Sequence, residues 1–226
     1  MATERLDRGR VIDAAVALLD AEGLDALSTR RLGAVLQASA NAMYWHVGSK
    51  DNLVGLAADA VFAELELNTD DNTSWRERLA ATARELRTMF TGHSWLTSAF
   101  AAYPNTQGPA LRRFQNHLLV VCRQAGFEGF DLDWAGATVF SFVIGDAWGQ
   151  TQSSTPDDSS ITTVDLLEQV KPDLADYPLL LERYTALSNA DPAVVNNTSF
   201  EFGLCTLLDG LQAHLDHQDD KAQPDA

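Results

Sequence analysis

Within the stretch SANAMYWHVGSKDNLV, Ser39 to Val54, three ring side chains stand in a row: Tyr44, Trp45 and His46. Consecutive helical residues point about 100° apart, so three neighbours cannot all serve one core, and at least one faces outward. The phenol of Tyr44 and the imidazole of His46 can hydrogen-bond phosphate, and the ammonium of Lys50 can neutralise it. The residues before the rings are small, Ser39, Ala40 and Ala42, which allows close approach to a groove floor. Asn41 between them can pair bidentately with adenine, and an Ala methyl can pack on a thymine methyl. Met43 and Val47, four apart, read as the inward face of the same short helix. The chemistry on offer is contact with double-stranded DNA.

The charge distribution agrees, although the total does not. The chain carries 16 basic and 32 acidic residues in 226, a net charge of −16. Residues 1–50 net zero, so residues 51–226 hold the entire excess of acid. From Ala26 to Lys50 there are three bases, Arg30, Arg31 and Lys50, and no acid. A polyanion is tolerated at this end of the molecule and repelled elsewhere. No apolar run approaches the roughly 18 residues of a membrane span. The charged start MATERLDRGR lacks the apolar core of a signal peptide, so a cytoplasmic protein is expected. Cys122 and Cys205 sit in apolar helical patterns and read as buried free thiols.

The elements that must position the rings follow from spacing. Val11, Ile12, Ala15, Val16, Leu18 and Leu19 recur at helical intervals, with Gly23 as the stop. Ser28 is an N-cap for a second, short helix containing Leu32, Val35 and Leu36. Arg30 and Arg31 fall in its first turn, where bases oppose the helix dipole, which points to an anion nearby. Gln37-Ala38-Ser39 breaks the pattern, Ser39 caps a third helix over 40–47, and Ser49 caps a fourth. Three helices with a tight turn make a helix-turn-helix.

Beyond it, Ser74-Trp75-Arg76-Glu77 is a capping box. Helices are expected from Trp75, over 93–102, from Pro109 to Gly126, over 132–149, over 178–187 and over 198–215. The 132–149 helix is apolar nearly all round and should be buried on more than one side. Ala135, Gly136, Ala137 and Gly145 would admit a close neighbour. TQSSTPDDSSITT reads as a loop. His214 and His217 read as a solvated helix end rather than a metal pair. The expectation is an all-α chain: residues 1–66 form the helix-turn-helix domain with a linking helix from about 50. Residues 67–217 form a helical domain, and 218–226 a disordered tail. No phosphate loop, Gly-x-Ser-x-Gly or His-Glu-x-x-His motif supports an enzyme.

STRRLGAVLQASANAMYWHVGSKDNLV resembles the helix-turn-helix of the tetracycline-repressor (TetR) family, with Tyr44, His46, Val47, Lys50 and Leu53 filling its closing pattern. The likeness covers residues 8–65. Where family members usually have Gly-Val-Ser in the turn, this chain has Gln37-Ala38-Ser39, so a slightly different turn geometry is expected. SWRERL, LLVVCRQAGF and FEFGLCTLLDGLQAHL extend the likeness more weakly through the rest of the chain. The resemblance implies a homodimer through helices 132–149 and 198–215, a palindromic operator and a small-molecule inducer. DNA contacts are then assigned to Arg30, Arg31, Ser39, Ala40, Asn41, Ala42, Tyr44, Trp45, His46 and Lys50.

Tetracycline-binding members hold a magnesium–drug chelate with two His, an Asn and a Gln. An ungapped carry-over puts those roles at Glu66, Phe100, Thr82 and, one residue offset, His117. Phe100 cannot ligate a metal, so neither a metal nor another cofactor is expected. The neighbouring Leu86, Phe90, Trp95, Tyr103 and Trp148 would make an aromatic, apolar cavity, with Thr82 and His117 as orienting polar groups. The expected inducer is flat or bulky and apolar, with Glu66 favouring a cation. The alternative is an all-α small-molecule-binding protein or enzyme without sequence-specific DNA binding.

Overall fold

The computed structural model describes residues 7–39, 42, 45, 47–103, 108–153, 171 and 173–222. Among them every regular element is a helix, so the all-α expectation stands. In chain order these are α1 (Arg8–Ala26), α2 (Thr29–Val35), α3 (Lys50–Ala63), α4 (Trp75–Gly92), α5 (Trp95–Ala102), α6 (Pro109–Ala125), α7 (Gly129–Ser153), α8 (Pro178–Ser188) and α9 (Pro192–Ala222).

The capping chemistry sets most of the starts. Ser28 Oγ accepts from Arg31 N at 3.1 Å and Ser49 Oγ from Asn52 N at 3.1 Å. The Ser74–Glu77 box is reciprocal, each side chain accepting from the other's backbone N–H at 3.2 Å. Such caps satisfy orphan amide groups and stabilise a helix by about 1 kcal/mol. Pro109 opens α6, and Gly126, at φ 108°, closes it in the left-handed region. In α1, Gly23 adopts φ 76° and ψ −178°, so the expected stop is a kink with a short turn beyond it.

Two helices outrun the expected bounds. α7 begins at Gly129 and continues to Ser153 rather than spanning 132–149, and α9 covers 192–222 rather than 198–215. Apolar periodicity marks only the buried middle of a helix. Asp191 caps α9 by accepting from Ala193 N at 2.8 Å, and no proline interrupts it before Pro224. Residues 218–222 are therefore helical and not part of a disordered tail. Most of the expected loop, residues 154–163, lies outside the described residues.

The N-terminal core joins Val11, Ala15, Leu18 and Leu19 of α1 to Leu53, Val54, Ala57 and Val61 of α3. In the second core α4 packs on α7, α6 lies against both, and α9 covers α7 and α4. Helix α5 touches α1, α3, α4 and α7, and so bridges the two cores. Gly136 brings α7 close to α6: a Cβ there would sit 3.4 Å from Leu118 Cβ. The outer side of α7 exposes Phe130, Trp134 and Trp148, and that of α9 exposes Val194 and Phe202. Cys122 is buried, and burial pushes its thiol up to about 11. Cys205 is exposed, which corrects the reading of two buried thiols. It belongs to the outward side of α9, whose apolar pattern has two faces.

Candidate nucleic-acid interface and ligand cavity

The segment between α2 and α3 presents the opening rings. Ser39 Oγ accepts from Ala42 N at 3.2 Å, the cap expected of a third helix. Ala42, Trp45 and Val47 are helical, with Val47 buried and Trp45 89% exposed. Ala40, Asn41, Met43, Tyr44 and His46 lie outside the described residues. Gln37 stands at φ 52°, so this residue holds the left-handed conformation that a glycine takes without strain. Asn52 Nδ2 donates to Val47 O at 2.8 Å and ties the segment to α3.

The three bases of the acid-free stretch differ in their surroundings. Arg30 is exposed. Arg31 donates to Glu22 at 2.7 Å, and this contact raises its pKa. Glu22 is thus an anion beside the first turn of α2. Lys50 Nζ donates to Leu24 O at 3.1 Å, at the end of α1. Both Arg31 and Lys50 help hold α1 against the helix-turn-helix.

The far end of α3 is gripped by α6. Asp59 accepts from Leu111 N at 2.9 Å and so caps the first turn of α6. Gly108 makes room for it, since a Cβ there would fall 2.2 Å from Asp59 Oδ1. In return Arg113 Nη2 reaches the carbonyls of Phe62, Ala63 and Leu65 at 3.5, 3.1 and 3.2 Å. The first two belong to the last turn of α3, whose final carbonyls have no i+4 partner within the helix, and Leu65 lies just beyond it. Asp20 of α1 makes a second tie, accepting from Trp95 Nε1 at 2.7 Å and meeting His93 Nδ1 at 2.7 Å.

Beyond the grip, α5, α6 and α7 enclose a cavity of about 350 Å³. Its walls are Phe100, Leu111, Phe114, Leu118, Leu119, Gly136, Ala137 and Phe140, with Gln115 and Asp133 as the polar members. Phe114 meets Phe140 at 5.6 Å and Phe62 at 5.5 Å, and Phe100 meets Phe62 at 5.7 Å and Phe140 at 6.0 Å. The aromatic cage therefore runs from the cavity wall to the last turn of α3.

The expected ligand residues are distributed more widely. Phe100 lines the cavity, and Phe90 stands behind it, 6.1 Å from Phe100 and 6.3 Å from Phe140. Thr82 and His117 are buried and face each other at 3.0 Å, away from the cavity lining. Burial, helped by the Arg78 guanidinium, lowers the His117 pKa. Leu86 is fully buried, and Trp95 is turned to Asp20. Tyr103 is half-buried at the end of α5, while Glu66 and Trp148 are exposed. Among the described residues no three His, Cys, Asp or Glu side chains gather to hold a metal. His214 meets Asp131 at 3.0 Å and His217 donates to Ala213 O, so the two rings serve different partners.

Sequence reasoning missed the lining residues of α6 and α7. Leu111, Phe114 and Leu118 recur at helical spacing in the sequence, but a stripe facing a core and one facing a cavity look alike. It also missed Asp59, Arg113 and the almost fully buried Arg78, 3% exposed. Arg78 donates to Asn68 O at 3.1 Å and to Gln124, fixing the linker after α3. No periodicity signals such long-range polar ties.

A wider, open cleft of about 690 Å³ lies between α4, the end of α7 and the start of α9. Arg87 fills one wall. It donates to Asp146 at 2.9 Å, to Asn197 at 2.7 Å and to Asn196 O at 3.0 Å, and lies 4.4 Å over the Phe200 ring. Arg84 pairs bidentately with Glu201 at 2.8 and 2.7 Å.

An N-terminal helix-turn-helix joined to a helical domain with its own cavity defines a class of DNA-binding regulator. A model of bacterial regulatory proteins of the tetR family matches residues 11–57, and one of the tetracyclin repressor-like C-terminal domain matches residues 68–215. An HTH-type transcriptional regulator of Saccharopolyspora erythraea is 35% identical over 80% of this chain and 76% of its own length. The HTH-type transcriptional repressor DrrR1 of Streptomyces coeruleorubidus is 30% identical over 90% and 76%. Streptomyces coelicolor ActR in complex with actinorhodin superposes with TM-score 0.78 at 28% identity, covering 94% of this chain and 99% of that one. Mycobacterium smegmatis BioQ with its double-stranded DNA operator gives 0.65 at 26%, covering 93% and 100%. The chain belongs to the tetR family and is a DNA-binding transcriptional regulator.

Proposed function

We propose that this protein is a dimeric cytoplasmic repressor, released from a palindromic operator by a small apolar or aromatic inducer seated between α5, α6 and α7. The observation that carries the reading is the mutual cap between α6 and α3. Asp59 and Arg113 tie the helix that lines the cavity to the helix that carries the helix-turn-helix. A ligand that prefers one placement of α6 therefore biases α3, and with it the spacing of two recognition segments. Half-sites are read about 34–36 Å apart, one turn of DNA, so a small shift breaks the register. A nearly complete switch requires about 5.5 kcal/mol of differential ligand affinity.

The DNA face rests on the outward Trp45, the exposed Arg30, and the small residues around Asn41. Tyr44, His46 and Lys50 position the duplex, and Asn41 reads a base. The solved ActR and BioQ complexes support the two kinds of ligand by likeness. Dimerisation is supported by the outward faces of α7 and α9, where Phe202 and Trp148 are exposed beside small residues such as Gly145 and Gly210.

Selection of bound duplexes from a random DNA library tests this directly. A palindrome is expected, together with a dimer in sedimentation at micromolar concentration. Asn41→Ala should change base preference at one position per half-site by about 1–3 kcal/mol. Phe202→Asp should give monomers that bind the same duplex weakly, because the two half-sites then bind independently. A monomeric wild-type protein, or no enrichment of any sequence, would contradict the reading.

A further inference from the structure

The cavity that accepts the inducer has a charge of its own. Two of its lining side chains are polar: Gln115 from α6 and Asp133 from α7. Neither has a hydrogen-bond partner among the described residues, whereas the charged side chains of the wider cleft are paired. No Arg, Lys or His lines the cavity. The carboxylate of Asp133 is exposed, so it marks the mouth rather than the floor. Inside, the rings of Phe100, Phe114 and Phe140 supply flat apolar faces whose quadrupoles also favour a cation.

The wider field points the same way. Residues 51–226 carry the whole net charge of −16, so an anion meets repulsion on approach and a cation is drawn in. A carboxylate-bearing ligand would bring a second negative charge beside Asp133 at the mouth, with no guanidinium or ammonium from the lining to compensate it.

We propose that the inducer is a planar aromatic cation, with its fused rings laid against the Phe side of the cavity wall and its protonated nitrogen at the Asp133 carboxylate. This rests on the cavity being the inducer site. Gln115, across the mouth, can accept from or donate to a further polar substituent. Glu66, exposed and absent from the lining, plays no part in this charge selection.

Three tricyclic probes of similar size test the proposal by equilibrium dialysis with the full-length protein, without DNA: cationic proflavine, neutral acridone and anionic anthracene-9-carboxylate. Proflavine should bind about threefold more tightly than acridone, the scale of one solvent-exposed charge pair, and the carboxylate least. Asp133→Asn should remove that advantage and leave acridone unchanged, while Asp133→Glu should restore most of it. Ala137→Phe, which fills the cavity from its exposed edge, should abolish binding of all three. Equal binding of the three probes, tighter binding of the anion, no binding of any probe, or indifference of proflavine to Asp133→Asn overturns the proposal. If charge makes no difference but Ala137→Phe still abolishes binding, the cavity remains the ligand site and only the charge selection fails. If proflavine binding survives Ala137→Phe, the cavity reading itself fails.

Discussion

Two of the hollows in the helical domain differ in what their polar groups do. The larger, between α4, α7 and α9, is lined by arginines that already have carboxylates, amides and an aromatic face as partners. The smaller, between α5, α6 and α7, is walled by phenylalanine and leucine, and its carboxylate at the mouth is unengaged. Volume alone would favour the larger. A cleft whose charges are satisfied internally is a seam that holds helices together. A cavity with apolar walls and an idle charged group can gain free energy from a ligand.

Substitutions in the two hollows should separate these roles. Phe114→Ala should have the largest effect, lowering unfolding free energy by about 4 kcal/mol in denaturant titration, because it removes a buried ring that touches both Phe62 and Phe140. A loss near 1 kcal/mol would mean that the cage is loosely packed and that the contrast with the seam is overstated. Arg87→Ala comes next. Its pair with Asp146 is 15% and 17% exposed, and truncation leaves that carboxylate largely buried without a cation, its hydrogen bond from Gln150 Nε2 at 2.6 Å remaining, costing about 3 kcal/mol. Binding of aromatic probes by the folded fraction should be unchanged; altered probe affinity would show that the seam takes part in recognition.

His117 gives a smaller, pH-dependent effect behind the cavity. Its pKa in the folded chain is lowered, so the unfolded chain takes up the proton first as pH falls. The stability contributed by the neutral ring is complete above the unfolded pKa of about 6.5 and declines below it, until the folded form also protonates. The slope from one such group cannot exceed about 1.4 kcal/mol per pH unit. Comparison of melting temperatures at pH 7.5 and 5.5 for wild type and His117→Gln should show a smaller acid loss in the variant. The smallest effect is expected at the rim of the seam. The Arg84–Glu201 pair is 52% and 44% exposed, so Arg84→Ala should cost about 0.5 kcal/mol, less still in high salt. A loss equal to that of Arg87→Ala would erase the distinction between the rim and interior of the seam.

What could be read from the amino-acid sequence divides along physical lines. Caps and stops are local chemistry, and Ser28, Ser49, Ser74–Glu77 and Gly126 each do what their type and place indicate, whereas Gly23 kinks α1 instead of ending it. Helix length was less legible, because α9 continues in both directions past the residues that bury it. In the turn of the helix-turn-helix, Gln37 takes φ 52°, a left-handed conformation that its residue type does not announce. The cavity was half-visible. Its aromatic nature was anticipated, and Phe100 stands in its wall with Phe90 behind, but the carried-over polar pair Thr82–His117 closes on itself. Which face of α6 looks at a void rather than a core depends on how α5, α6 and α7 converge, and no residue spacing encodes that convergence.

The grip of α6 on α3 also has a mechanical gearing. All of the α3 groups held by α6 and its first turn, Asp59 and the carbonyls of Phe62 and Ala63, belong to the last five residues of a 14-residue helix. At about 1.5 Å per residue, Lys50 lies roughly 13 Å further along the axis from Asp59. A tilt of about 5° at the held end then displaces the Lys50 end by roughly 1 Å, and in the proposed dimer the two arms diverge by up to twice that. Gain in such a lever is set by where the fulcrum sits. Holding α3 one turn closer to Lys50 would shorten the arm by about 5 Å and reduce the stroke at Lys50 by more than a third for the same tilt.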